Sequence, residues 1–165
     1  MPMTMDKLFL DTLKDVYYAE RQVLKALNKQ ARAARHPELK QAFTLHREQT
    51  QGQIERLQQV FEILGKRAQG ITCEVMNGIL EEANELIEEE PEAGPVRDAG
   101  LLAAAQCVEH YEMARYGTLI AWAEAAGKPE IVELLDANLA EEKQTDELLT
   151  RLAEAVLNPE AASGA

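Results

Sequence analysis

Apolar residues recur every three or four positions along most of the chain, and proline or glycine breaks the recurrence at its natural stops. Phe9, Leu13, Val16, Tyr17, Val23, Leu24, Leu27 and Ala31 predict a first helix. It starts at a Thr4 or Asp6 cap and runs to about His36, because the residue before Pro37 is pushed out of the helical region. Leu39, Phe43, Ile54, Leu57, Phe61 and Leu64 predict a second, from just after Pro37 to near Gly65. A shorter segment over about 72–90 ends in Glu88-Glu89-Glu90-Pro91. A third long helix, about 96–126, buries Leu102, Ala105, Tyr116, Leu119 and Ile120 and stops at Gly127-Lys128-Pro129. The last, about 129–157, buries Ile131, Leu135, Leu149 and Leu152 and is ended by Asn158-Pro159. The pattern predicts an all-α four-helix bundle, with the short helix in the long crossover between the second and third bundle helices. Residues 1–160 form one domain and 161–165 a frayed tail.

Polar residues interrupt these stripes near the middle of each long helix. Glu20 lies in the first, His46, Thr50 and Gln53 in the second, Glu109 and Glu112 in the third, and Glu142 and Thr145 in the fourth. Helices of ~28–33 residues rise roughly 42–50 Å, so these midpoints can share one level. Glu109 and Glu112 are three apart and point from one face. Glu20 to Gln53 and Glu109 to Glu142 are both separations of thirty-three residues, as in two equal hairpins laid side by side. A desolvated carboxylate costs several kcal/mol unless it is compensated, so the cluster needs protons, basic partners or a metal ion. Carboxylate-bridged di-metal bundles use one Glu on each of two helices and Glu-x-x-His on the other two. Arg56 or a protonated His46 is an alternative means of neutralising the carboxylates.

Composition narrows the partners. With 29 acidic and 17 basic residues among 165, the formal charge is −12, which disfavours nucleic acid and anionic membrane. No apolar run reaches 18 residues and the start of the chain lacks a basic-then-apolar leader, so a cytoplasmic protein is expected. Cys73 and Cys107 have no CxxC partner and read as reduced, partly buried thiols.

Several segments together carry a family resemblance. They are Asp15-Val-Tyr-Tyr-Ala-Glu20, His46-Arg-Glu-Gln-Thr-Gln-Gly-Gln-Ile-Glu-Arg-Leu57, Glu81-Glu-Ala-Asn-Glu85, Val96-Arg-Asp-Ala, Ala104-Ala-Gln-Cys-Val-Glu-His-Tyr-Glu112 with Tyr116-Gly-Thr118, and Glu141-Glu-Lys-Gln-Thr-Asp146. Over about residues 4–157 the chain resembles the bacterial YciE/YciF family of ferritin-like stress proteins. The resemblance implies a rubrerythrin-like or ferritin-like bundle that pairs as a homodimer and carries a di-iron centre at mid-bundle. It implies Glu20, Glu109, Glu112 and Glu142 as ligands, and the chain departs from the implied set with Gln53, a weaker oxygen donor, at the second-helix Glu position, Arg56 where its histidine would follow, and Thr145 at the fourth-helix histidine position. His46, Thr145, Tyr116 and Arg56 are the neighbouring candidates, Tyr116 as a hydrogen-bond donor to a ligating carboxylate. Such a donor set holds iron, as one ion or two, and also accepts Mn or Zn. With iron, oxidation of Fe(II) by O₂ or peroxide would make a peroxidase or ferroxidase. The rival reading is a metal-free dimeric scaffold with a compensated polar core, and the sequence leaves the native reaction and electron donor open.

Overall fold

A computed structural model describes residues 1–164. Thr4 starts α1 (Met5–Ala33), its hydroxyl oxygen accepting the backbone N–H of Lys7 at 3.2 Å. The chain turns extended at Ala34, and His36 caps α2 (Pro37–Ile63) by accepting the Glu38 N–H on Nδ1 at 3.2 Å. The crossover contains α3 (Glu74–Glu89), after which α4 (Pro95–Ala125) and α5 (Pro129–Leu152) form the second hairpin. The C-terminal ends of α2 and α4 close the same way. Gly65 (φ +66°) and Gly127 (φ +67°) take the left-handed conformation, and the N–H groups of Lys66 and Lys128 reach back to the carbonyls of Phe61 and Ala123.

The two hairpins pack α2 on α5 and α1 on α4, giving a ferritin-like four-helix bundle. The crossover helix α3 lies outside, against α4 and α1. Tyr18 Oη donates to Asn77 Oδ1 and Lys29 Nζ to Asn84 Oδ1, both at 3.0 Å, which ties α3 to α1.

The last helix differs from the sequence expectation. Asn158-Pro159 does not end it; α5 widens into a π-helical turn over Ala153–Leu157 and continues as α6 (Asn158–Ala162). Asn158 N–H bonds the carbonyl of Ala153, five residues back. A proline in a regular helix loses a hydrogen bond and crowds the carbonyl four residues back; the wider turn relieves that clash without stopping the chain. The expected frayed tail, 161–165, therefore begins inside α6, and Ala165 lies outside the described residues. The cysteines also differ from each other: both are free, but Cys73 is buried and Cys107 exposed.

The apolar core is divided in two. One cluster holds Val23, Leu27, Leu39, Phe43, Leu101 and Leu149 among others, and the second Leu13, Val16, Leu57, Phe61, Leu119 and Leu135. Each long helix contributes to both, and the polar mid-helix residues fall between them in sequence. A polar layer therefore separates two apolar halves.

Candidate metal centre

Helical spacing delivers the polar layer. Glu20 comes from α1, His46 and Gln53 from α2, Glu109 and Glu112 from α4, and Glu142 from α5. Each of these residues is no more than 2% exposed. One ligand atom from each of His46, Glu109, Glu112 and Glu142 lies within 4.8 Å of the others, a spacing that a single cation could span. His46 Nε2 is 2.8 Å from Glu109 Oε1. The approach is off the hydrogen-bonding axis, however, so both ring nitrogens are left without a partner.

The same holds for the carboxylates. Both side-chain oxygens of Glu109, Glu112 and Glu142, Oε2 of Glu20, and both polar atoms of Gln53 are buried without a hydrogen-bond partner. Among the described residues, the ion pairs of arginine and lysine all go elsewhere. Arg56, the cation that could have neutralised the cluster, pairs at 2.5 Å with Glu141 instead. Burial is the main reason that Glu20 and Glu109 are pushed up to about pH 8. Repulsion from Glu142 adds to the shift of Glu20, and repulsion from Glu20 to that of Glu109. Burial, followed by the neighbouring carboxylates, raises Glu112 and Glu142 well above the usual range. As anions Glu109, Glu112 and Glu142 have no hydrogen-bond donor and Glu20 has one on a single oxygen; the four can coexist by retaining protons or by sharing a cation. Imidazole with several carboxylates is a donor set suited to iron, manganese or zinc, and the partnerless atoms fit such an ion.

Beside the cluster lies a hydrogen-bonded chain. Tyr116 Oη donates to Glu20 Oε1 at 2.7 Å. Asn138 Nδ2 donates to Tyr116 Oη and to the Gln53 carbonyl, both at 3.2 Å, while Arg56 Nη1 donates to Asn138 Oδ1 at 3.0 Å. Burial and Glu20 raise Tyr116 well above the usual phenol range, keeping it a donor.

The structure thus brings Glu109, Glu112 and Glu142 together with His46 and places Glu20 close enough to Glu142 and Glu112 for their carboxyl groups to interact. Thr145 turns aside, its hydroxyl donating to Gln49 Oε1 at 2.9 Å. Arg56 reaches the site only through Asn138. Asn138 itself is absent from the sequence expectations, although its position, one turn before Glu142 on the Ile131–Leu135 stripe, marks it as a second buried polar residue of α5.

Fold and site together define a ferritin-like bundle with a buried His/Glu group able to hold a metal ion. Comparison with known proteins is consistent with that class. The chain belongs to the family described as a domain of unknown function, DUF892, which it matches over residues 4–162. It is 49% identical over 151 residues to Protein YciF of Escherichia coli (strain K12), covering 91% of this chain and 90% of that protein. The crystal structure of the E. coli stress protein YciF superposes with a TM-score of 0.89 at 47% identity, covering 95% of this chain and 99% of that one. YcfI from Rhodopseudomonas palustris, described as a candidate structural protein, gives 0.86 at 49% identity over 90% and 94% of the two chains. Among the described residues no helix is long and apolar enough to cross a membrane.

Proposed function

We propose that this protein is a metal-binding stress protein of the bundle interior, with iron as the resident ion, singly or as a pair. The observation that carries the proposal is the set of buried carboxylate oxygens and imidazole nitrogens left without partners in one place. His46, Glu109, Glu112 and Glu142 would hold one ion, and Glu20 with Gln53 the less complete position beside it. Iron bound there supplies one-electron chemistry toward O₂ or peroxide, of ferroxidase or peroxidase type. The chain's own contribution is to bury the ligands, exclude water between two apolar clusters, and hold Glu20 through the Tyr116 hydroxyl. Likeness to a protein called a stress protein supports the physiological setting. A cytoplasmic homodimer is proposed on the strength of the family resemblance; sedimentation of the purified protein at micromolar concentration tests the dimer, and a single monomer species would reject it.

Metal analysis of freshly purified protein is the primary test, with a Glu109→Ala and Glu142→Ala double variant beside it. Metal present in the parent and lost from the variant is expected; equal content in both would sink the site. Aerobic addition of Fe(II) then tests the chemistry, since ferric absorbance rising no faster than in buffer would remove the redox assignment. A second reading has its own observation. The upward shift of Glu20 and Glu109 means that protons alone can quiet much of the cluster near neutral pH. On that reading the protein is a metal-free helical scaffold, and metal-free parent protein would be as resistant to unfolding as protein supplied with Fe(II).

A further inference from the structure

Asn138 is fully buried, so its amide orientation is set by protein groups alone. Arg56 can only donate, which assigns Oδ1 to the atom that faces it at 3.0 Å. The Gln53 carbonyl can only accept, which assigns Nδ2 to the atom that faces it at 3.2 Å. Both neighbours fix the same orientation, and Asn138 cannot flip without opposing donor to donor and acceptor to acceptor. The second hydrogen of Nδ2 then occupies a lone pair of Tyr116 Oη. That hydroxyl has a single proton, and it goes to Glu20 Oε1 at 2.7 Å. With Oε1 engaged, Oε2 is the oxygen of Glu20 that has no partner. Sequence connects none of these residues: Arg56 is on α2, Asn138 on α5, Tyr116 on α4 and Glu20 on α1.

We propose that Asn138 is a positioning residue, locked by Arg56 and the Gln53 carbonyl, that acts through the Tyr116 hydroxyl to commit Glu20 to cation binding through Oε2. The inference rests on the metal-binding reading above and deepens it. It identifies the half-buried Arg56–Glu141 pair as the outer anchor of a four-helix chain that ends on a ligand. Replacing Asn138 with Asp presents an acceptor where Nδ2 stood, so the Tyr116 proton is drawn away from Glu20. Replacing it with Leu removes the donor without adding charge.

Metal-free parent, Tyr116→Phe, Asn138→Asp, Asn138→Leu and the Tyr116→Phe/Asn138→Leu double variant are titrated with Co(II), following its visible absorption and competing it with a chromophoric chelator. Each single variant is expected to bind Co(II) about 10–100-fold more weakly and with an altered absorption spectrum, as loss of a group that orients a ligand does. The double variant is expected to be no weaker than Tyr116→Phe, because both changes cut one chain. Two results would overturn the proposal: parent-like affinity and spectrum in folded Asn138→Leu, or losses that multiply in the double variant. An Asn138 that only packs would lower the melting temperature of the metal-free protein and leave Co(II) affinity unchanged. If Asn138→Asp does not fold, Asn138→Leu decides the question. Failure of the parent to bind Co(II) would sink this proposal together with the metal site, whereas a binding parent with an unaffected Asn138→Leu would sink the positioning role alone.

Discussion

Glu20 and Glu109 hold their protons up to about pH 8, well above the ordinary glutamate value of 4.5. Between those limits the folded metal-free protein binds more protons than the unfolded chain, so its stability is greatest below about pH 4.5 as far as these groups are concerned and falls as pH rises toward 8. A bound cation reverses the sign, because it displaces those protons and is held more tightly as pH rises. Urea melts in chelator from pH 5 to 8.5 should therefore show declining stability, and melts with added Fe(II) or Mn(II) a decline that is reduced or inverted; parallel curves would contradict the proton–metal exchange. Glu109→Gln should recover about 1–3 kcal/mol of metal-free stability at pH 8.5, because it removes a charge that burial opposes. The same variant should lose the metal-dependent gain. The individual residues of this site were legible to different degrees. Buried glutamates on an apolar stripe are conspicuous in a sequence, because helical spacing alone places them. His46 was harder to assign, since a lone core histidine has many uses, and its 2.8 Å approach to Glu109 is a relation between α2 and α4 that spacing along one helix does not encode. Asn138 shows the same gap, for its role depends on Arg56 and Tyr116 from two other helices.

At the scale of elements, the register of the hairpins is held from outside the polar layer. Asp98, fully buried near the start of α4, accepts the N–H groups of Arg35 and His36 on its two carboxylate oxygens, each at 2.8 Å. It therefore closes the α1–α2 turn and places a negative charge at the N-terminus of α2, where the helix dipole favours it. Arg97 beside it donates to the carbonyls of Ala33, Glu90 and Pro91, joining the end of α1 to the approach to α4. Asp98→Ala should cost about 2–4 kcal/mol, from two charge-assisted hydrogen bonds lost and buried donors left open. Asp98→Asn, which retains one acceptor, should cost less; equal midpoints for the two variants in urea would show that the bond Asn retains contributes nothing. Most helix boundaries were readable, since Thr4, Pro37, Gly65, Pro95 and Gly127 act through local backbone chemistry. The last boundary was not, because Asn158-Pro159 has two local outcomes. A proline either ends a helix or is absorbed by a wider turn, and Leu157, wholly buried in the core cluster, favours continuation.

For the molecule as a whole, the equal spacing of Glu20 to Gln53 and Glu109 to Glu142 foretold two hairpins whose midpoints meet, and the division of the core into two apolar clusters is the consequence. On the proposed reading, that division would give a bound ion a leverage that a surface ion would lack. The two halves of each helix are tied to different clusters, and across the layer between them stand charged and polar groups from all four bundle helices. An ion held by α2, α4 and α5, with α1 alongside, would bind the assembled bundle and have no comparable site in the unfolded chain, so its binding free energy would add to folding. At a free concentration one hundred times its dissociation constant it would add about 2.7 kcal/mol, which for a domain of this size raises the melting temperature by roughly 5–11 °C. Thermal melts of chelated protein against increasing Fe(II) under anaerobic conditions, repeated with Zn(II) and Mn(II), should show a midpoint that climbs with the logarithm of metal concentration. The Glu109→Ala and Glu142→Ala double variant should have a midpoint that does not move. Hydrogen exchange adds a spatial criterion. Protection gained on adding metal should centre on the turns of α1, α2, α4 and α5 around Glu20, His46, Glu109 and Glu142, and a gain confined to the exposed acidic run of Glu88, Glu89 and Glu90 would instead place the ion on the surface.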